Sequence, residues 1–122
     1  MTKHPKKVLI CDDEEGIRES LKLILGDTYD LVLAGNSPQC LEILENSKDI
    51  GLVLLDIKMP VIDGLDTLEQ IKKKYPKISV VMVTGYRSVE IAAKSSHHGA
   101  TGYIIKPFKA KEILETVKRH LG

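Results

Sequence analysis

Five apolar runs divide the chain, and each ends abruptly in polar residues. They are Lys7-Val8-Leu9-Ile10-Cys11, Tyr29 to Ala34, Leu52-Val53-Leu54-Leu55, Ile78-Ser79-Val80-Val81-Met82-Val83 and Thr101-Gly102-Tyr103-Ile104-Ile105. Continuous runs of this length, bounded by turn signals, predict strands buried on both faces. Between and after them, apolar residues recur at helical spacing. The stripes are Ile17, Leu21, Ile24 and Leu25; Cys40, Leu41, Ile43 and Leu44; Leu65, Leu68 and Ile71; Val89, Ile91, Ala92 and Ala93; and Ile113, Leu114, Val117 and Leu121. Ser37-Pro38 predicts an N-cap followed by proline at the first helical position. Asp63-Gly64 predicts a turn, and the fourth helix is expected to close near His97-His98-Gly99.

Strict alternation of strand and helix predicts an α/β fold with right-handed crossovers and helices on both faces of a parallel sheet. The expected architecture is a single doubly wound (βα)5 flavodoxin-like domain over residues 1–122, with a five-stranded parallel sheet of order 2-1-3-4-5. In such sheets ligands bind at the carboxyl ends of the strands, at the switch point between strands one and three. Four strand ends of this chain carry polar groups: Asp12-Asp13, Asp56, Thr84 and Lys106. Carboxylates converging there repel one another and resist ionisation. Lys106 or a divalent ion must offset them, and hard oxygen ligands with waters suit Mg²⁺. That assembly serves phosphoryl transfer, with Asp56 as the natural nucleophile.

Composition removes several other classes. The chain has 122 residues, with 18 basic and 17 acidic side chains. Near-zero net charge gives no electrostatic case for nucleic acid or membrane surfaces. Cys11 and Cys40 form neither a disulfide framework nor a zinc motif, and both read as small buried apolar groups. No run is apolar enough to span a bilayer, and no signal-peptide core follows the start, so a cytoplasmic protein is expected. Lys72-Lys73-Lys74 reads as a solvated helix end favoured by the dipole, and His97-His98 as a solvated cap.

The chain resembles response-regulator receiver domains of two-component signalling systems, the CheY-like superfamily, over essentially its whole length. The matching pieces are Val8-Leu9-Ile10-Cys11-Asp12-Asp13-Glu14, Leu54-Leu55-Asp56-Ile57-Lys58-Met59-Pro60, Asp63-Gly64, Val83-Thr84-Gly85 and Tyr103-Ile104-Ile105-Lys106-Pro107-Phe108. The resemblance implies that Asp56 is the phospho-acceptor. It implies that Asp13 ligates Mg²⁺ (or Mn²⁺) directly and Asp12 largely through water. Asp56 and the backbone carbonyl of Lys58 complete the protein ligands. Thr84 matches the switch hydroxyl, Tyr103 the switch aromatic and Lys106 the phosphate-binding lysine. A cis Lys106-Pro107 bond is implied by the same resemblance.

The implied partners are a sensor histidine kinase or phosphotransfer protein, and a downstream protein or a fused output domain absent from this chain. The surface of helix four, strand five and helix five is the expected partner face. A phosphorylation-dependent homodimer is the expected behaviour of a regulator that works by pairing. The segment from Thr84 to Lys94 is similar to receivers of enhancer-binding transcriptional activators. The chain is expected to be a signalling switch rather than an enzyme, with no direct nucleic acid or membrane binding.

Two features depart from the commonest receiver pattern. Val61-Ile62 replaces a frequent Gly-Met, and Lys58 and Tyr86 occupy variable positions beside the site. Two other functions fit an aspartate-bearing α/β domain less well. A haloacid-dehalogenase-like aspartyl phosphatase wants a second Asp two residues after the nucleophile, where this chain has Lys58. A flavodoxin-like binding module wants a Ser/Thr/Gly-rich phosphate loop after strand one. Here that place holds Asp12-Asp13-Glu14-Glu15.

Overall fold

The computed structural model describes residues 4–121. Its strands are β1 (Lys7–Cys11), β2 (Leu31–Ala34), β3 (Ile50–Leu55), β4 (Ser79–Thr84) and β5 (Gly102–Ile105). The helices are α1 (Glu15–Leu25), α2 (Ser37–Asn46), α3 (Gly64–Lys74), α4 (Val89–His97) and α5 (Ala110–Leu121). The strands form one sheet of order β2-β1-β3-β4-β5, and every pair is parallel. This is the architecture that the alternating pattern predicts.

Successive side chains on a strand point to opposite faces, so each strand feeds two cores. On one face Leu9, Cys11, Val53, Leu55, Val80 and Met82 meet Cys40 and Leu44 of α2, Leu68 and Ile71 of α3, and Ile91 of α4. On the other, Val8, Ile10, Leu52, Leu54, Val81 and Val83 meet Leu21 and Leu25 of α1 and Ile113 and Val117 of α5. A fully buried leucine or isoleucine contributes about 2 kcal/mol, and both cores are rich in them.

Register sets the functional edge. Cys11 pairs with Ala34 and Leu55, Leu55 with Met82, and Thr84 with Ile105. The ladder continues one residue further, where Asp12 N–H donates to Ala34 O at 3.0 Å, Asp56 N–H to Cys11 O at 3.0 Å and Lys106 N–H to Thr84 O at 2.8 Å. Asp12 and Asp56 therefore leave the sheet on adjacent strands, with Lys106 on the far side of β4, and all three backbones are already held.

Several boundaries differ from the sequence expectation. β2 starts at Leu31 rather than Tyr29, because the Tyr29 amide still donates to Leu25 O at the end of α1. The N-cap of α2 is Asn36, whose side chain accepts from Gln39 N–H at 2.8 Å. Ser37 is instead the first helical residue, and it is buried. Its hydroxyl donates to Ile62 O at 2.7 Å and accepts from Thr67 Oγ1 at 2.6 Å, tying α2 to the loop after β3. Thr101 precedes β5 and donates through its amide to Val80 O. Val89 opens α4 but lies 85% exposed, leaving Ile91 to pack inward. Lys72 is not simply solvated: its ammonium donates to Pro76 O and Ile78 O at 3.0 and 2.8 Å, closing the turn after α3. Lys73 and Lys74 are exposed as expected. Cys11 and Cys40 are free and buried.

Candidate functional site

The site forms where β1, β3, β4 and β5 end. Asp12 and Asp56 are only 2% and 3% exposed. Burying two carboxylates together is costly unless a cation joins them. Lys106 supplies it, with its Nζ 2.8 Å from Asp12 Oδ2 and 3.2 Å from Asp56 Oδ2. A third contact, at 3.2 Å, goes to Glu14 Oε1. Asp12 Oδ1 accepts the Glu14 amide at 2.9 Å, and Arg18 Nη1 donates to Asp12 O at 2.8 Å, so the loop into α1 is held by its own first acid.

The charges perturb one another in a consistent way. Burial pushes the Asp12 carboxyl above its ordinary range, although the Lys106 hydrogen bond pulls the other way. For Lys106 burial is the largest single effect and works to lower its pKa. The bond to Asp12, with the charges of Asp12 and Asp56 and the Glu14 bond, outweighs it and holds the lysine above its usual value. Cys11, behind the site, is strongly raised by its contact with the Cys40 thiol and by burial.

One atom of this network stands apart. Asp56 Oδ1 is buried and has no hydrogen-bond partner. Buried polar atoms are nearly always satisfied, so an exception asks for a ligand. Beside it lies an open cavity of about 470 Å³, lined by Asp13, Glu14, Asp56, Lys58, Thr84, Gly85, Tyr86 and Lys106. Oxygens of Asp12, Asp13, Glu14 and Asp56 lie within 4.8 Å of one another. A set of hard oxygen donors with one orphaned member fits a small divalent cation.

The loop after β3 is shaped to present Asp56. Gly64 N–H donates to Ile57 O at 2.7 Å. A Cβ built on Gly64 would lie 2.0 Å from Asp56 O, so only glycine allows this approach. Asp63 caps α3 by accepting from Asp66 N–H at 3.0 Å. Val61, in the same loop, adopts φ 73°, a left-handed conformation that β-branched residues avoid. The Lys106-Pro107 bond is cis.

Of the residues singled out from sequence, Asp12, Asp56 and Lys106 are in direct contact, and Asp13, Lys58 and Thr84 line the same cavity. Tyr103 is not in that lining. Its hydroxyl donates instead to Tyr86 O at 2.8 Å. The Tyr86 amide in turn points at Thr84 Oγ1 at 3.5 Å, a long contact. Burial first, then the Asp56 charge, raises the Tyr103 phenol. His97 and His98 meet edge-on at the end of α4, 5.7 Å apart, and take no part in the carboxylate group. Sequence reasoning gave Glu14 no role of its own and so missed it as a member of the site. The signal was present in its position, directly after the acidic pair.

Among known proteins the chain has many relatives. The family "Response regulator receiver domain" matches residues 8–118. Sporulation initiation phosphotransferase F of Bacillus subtilis is 35% identical over 117 residues, covering 95% of this chain and 94% of the relative. Response regulator protein FleR of Pseudomonas aeruginosa is 34% identical over 116 residues, covering 93% of this chain but 24% of that protein. The chain thus spans about a quarter of FleR, and the same share of the NtrX-like regulators of Rickettsia that it matches. A CheY-like receiver domain protein of Methanospirillum hungatei superposes with TM-score 0.90 at 38% identity, covering 95% of this chain and 93% of that one. Fold, carboxylate cluster, lysine and comparisons agree: the chain belongs to the response regulator receiver domain family of two-component signalling.

Proposed function

We propose that this domain accepts a phosphoryl group on Asp56 from a histidine kinase or phosphotransfer protein, and that it then switches a partner-binding surface. The observation that carries this reading is the state of Asp56. One carboxylate oxygen is held by Lys106, while the other is buried, unpartnered and beside an open cavity. In-line transfer needs positioning and charge neutralisation and little else. An Asp56 oxygen attacks phosphorus, the donor's P–N bond breaks, and its electron pair leaves with the imidazole to give an aspartyl phosphate. Lys106 neutralises part of the incoming charge, and the Thr84 hydroxyl donates to a phosphoryl oxygen.

Asp12, Asp13, Asp56 and the Lys58 backbone carbonyl would hold Mg²⁺ (or Mn²⁺). When bound, that ion supplies further charge neutralisation at the phosphoryl oxygens. Thr84 and Tyr103 carry the change outward. Movement of Thr84 toward the phosphoryl group disturbs the Tyr86 backbone, which holds the Tyr103 hydroxyl. The face of α4, β5 and α5 then changes its preference for a downstream protein, a fused output domain or a second receiver. This is a two-state element biased by a local charge event. Among the described residues no helix is long and apolar enough to cross a membrane, and we place the switch in the cytoplasm, acting through proteins rather than nucleic acid.

The test uses acetyl phosphate with and without Mg²⁺, read by intact mass. A Mg²⁺-dependent gain of one phosphoryl group, lost in Asp56→Asn, is expected. No gain under any condition would overturn the proposal.

A further inference from the structure

Glu14 has no role in the function proposed above. It stands at the N-cap of α1, yet its side chain makes no capping bond to its own helix. Its carboxylate turns across the site to Lys106 at 3.2 Å. The side chain is 63% exposed, whereas those of Asp12 and Asp56 are 3% and 4% exposed. Asp12 and Asp56 are therefore fixed, and Glu14 is free to reorient. Its oxygen belongs to the group of four carboxylates within 4.8 Å, which includes Asp56 with its buried, unpartnered Oδ1.

We infer that Glu14 is a fourth acidic group of this site, one that tightens divalent-cation binding and slows the approach of an anionic phosphodonor. The inference rests on the phosphoryl-acceptor reading. Four carboxylates place oxygens within 4.8 Å of one another, and three of them share the one Lys106 ammonium. Removing the charge at position 14 weakens the pull on a dication and also weakens the repulsion of a phosphoryl-bearing anion. The ion pair adds to the second effect, because Glu14 draws on the same ammonium that must serve Asp56 and the incoming oxygens. The two consequences have opposite signs at one residue. Damage to packing cannot imitate that pattern, since it would weaken binding and reaction together.

The experiment compares the full chain with Glu14→Gln, Glu14→Asp and Asp13→Asn. Mg²⁺ affinity is measured by titration calorimetry. The rate of phosphorylation by acetyl phosphate is measured by intact mass at saturating Mg²⁺. Glu14→Gln is expected to weaken Mg²⁺ binding roughly tenfold, within the range for groups that act beside a metal's main ligands. It is expected to speed phosphorylation severalfold. Glu14→Asp keeps the charge and stays near wild type in both. In about 1 M KCl, where screening acts within roughly 3 Å, the gap between wild type and Glu14→Gln narrows.

Wild-type affinity and rate in Glu14→Gln would overturn the inference while leaving Asp56 phosphorylation standing. Loss of both affinity and rate would also overturn it, by assigning Glu14 a structural role. A wild-type protein that takes up neither Mg²⁺ nor phosphoryl, and so behaves like Asp13→Asn, would bring down both readings.

Discussion

Lys106 contacts three carboxylates at once, and two of them are buried. Replacing it with methionine keeps the side-chain stem and removes the charge. Asp12 and Asp56 are then left buried without a cation, and Lys106→Met is expected to lose about 3 kcal/mol in urea unfolding. Added Mg²⁺ should restore part of that loss. The pH dependence follows from the direction of the shift. The folded lysine lies above its ordinary value, so its pairing stabilises fully below about pH 10 and is lost as pH climbs through the raised value. The stability gap between wild type and Lys106→Met should therefore shrink in strong alkali. Asp12 has the same sign in a lower pH window, because its pKa is raised too. Its carboxyl holds a proton more tightly when folded, so stability falls as pH rises from the ordinary carboxyl value of about 4 through the raised one. Val61 is a separate residue-scale case. Its φ of 73° costs about 1–2 kcal/mol, and glycine would return roughly half of that after its own entropy cost. Val61→Gly should thus stabilise the fold by about 0.5–1 kcal/mol, read from the urea midpoint.

Among elements, the loop from β3 into α3 is the most constrained. Gly64 packs against the backbone of Asp56 and Ile57, and Ser37 of α2 holds Ile62 from the other side. Gly64→Ala places a methyl inside the Asp56 carbonyl, and flexible side chains cannot yield there because the obstacle is backbone. A loss of about 3 kcal/mol is expected, at the upper end for overpacking. A lower phosphorylation rate should accompany it, since the same shift moves Asp56. This loop also marks the limit of what the residues disclosed in advance. Asp63-Gly64 announced a turn, and the strand ends announced Asp12, Asp56 and Lys106, because period and punctuation are local signals. The cap at Asn36 was missed because Ser37-Pro38 carries the stronger local signal, and only the long-range bonds to Ile62 and Thr67 explain a buried serine. The same holds for Tyr103. Nothing in its neighbours encodes a bond to a carbonyl 17 residues away. Glu14 was given no role because its partner, Lys106, is 92 residues distant.

For the whole molecule, the parallel register gathers the chemistry on one rim and leaves the cores to hold it rigid. Stability and site formation are consequently linked. A cation that binds only the folded site stabilises it by about 2.7 kcal/mol at a hundredfold excess over its Kd. Thermal unfolding with increasing Mg²⁺ should show this rise in wild type. Asp13→Asn should keep wild-type stability without the metal, because Asp13 is exposed, and should lose most of the rise. Equal responses in the two proteins would remove Asp13 from the ligand set.

The connection between Thr84 and Tyr103 runs through the main chain of Tyr86, by its amide on one side and its carbonyl on the other. Such a link does not depend on what side chain position 86 carries. Replacements there reshape the cavity wall while the link between the Thr84 and Tyr103 hydroxyls stays intact. Proline is the exception, since it lacks the amide hydrogen. On the proposed reading of Thr84 and Tyr103, variation at one exposed residue would therefore retune the site without altering the route by which its state is passed on.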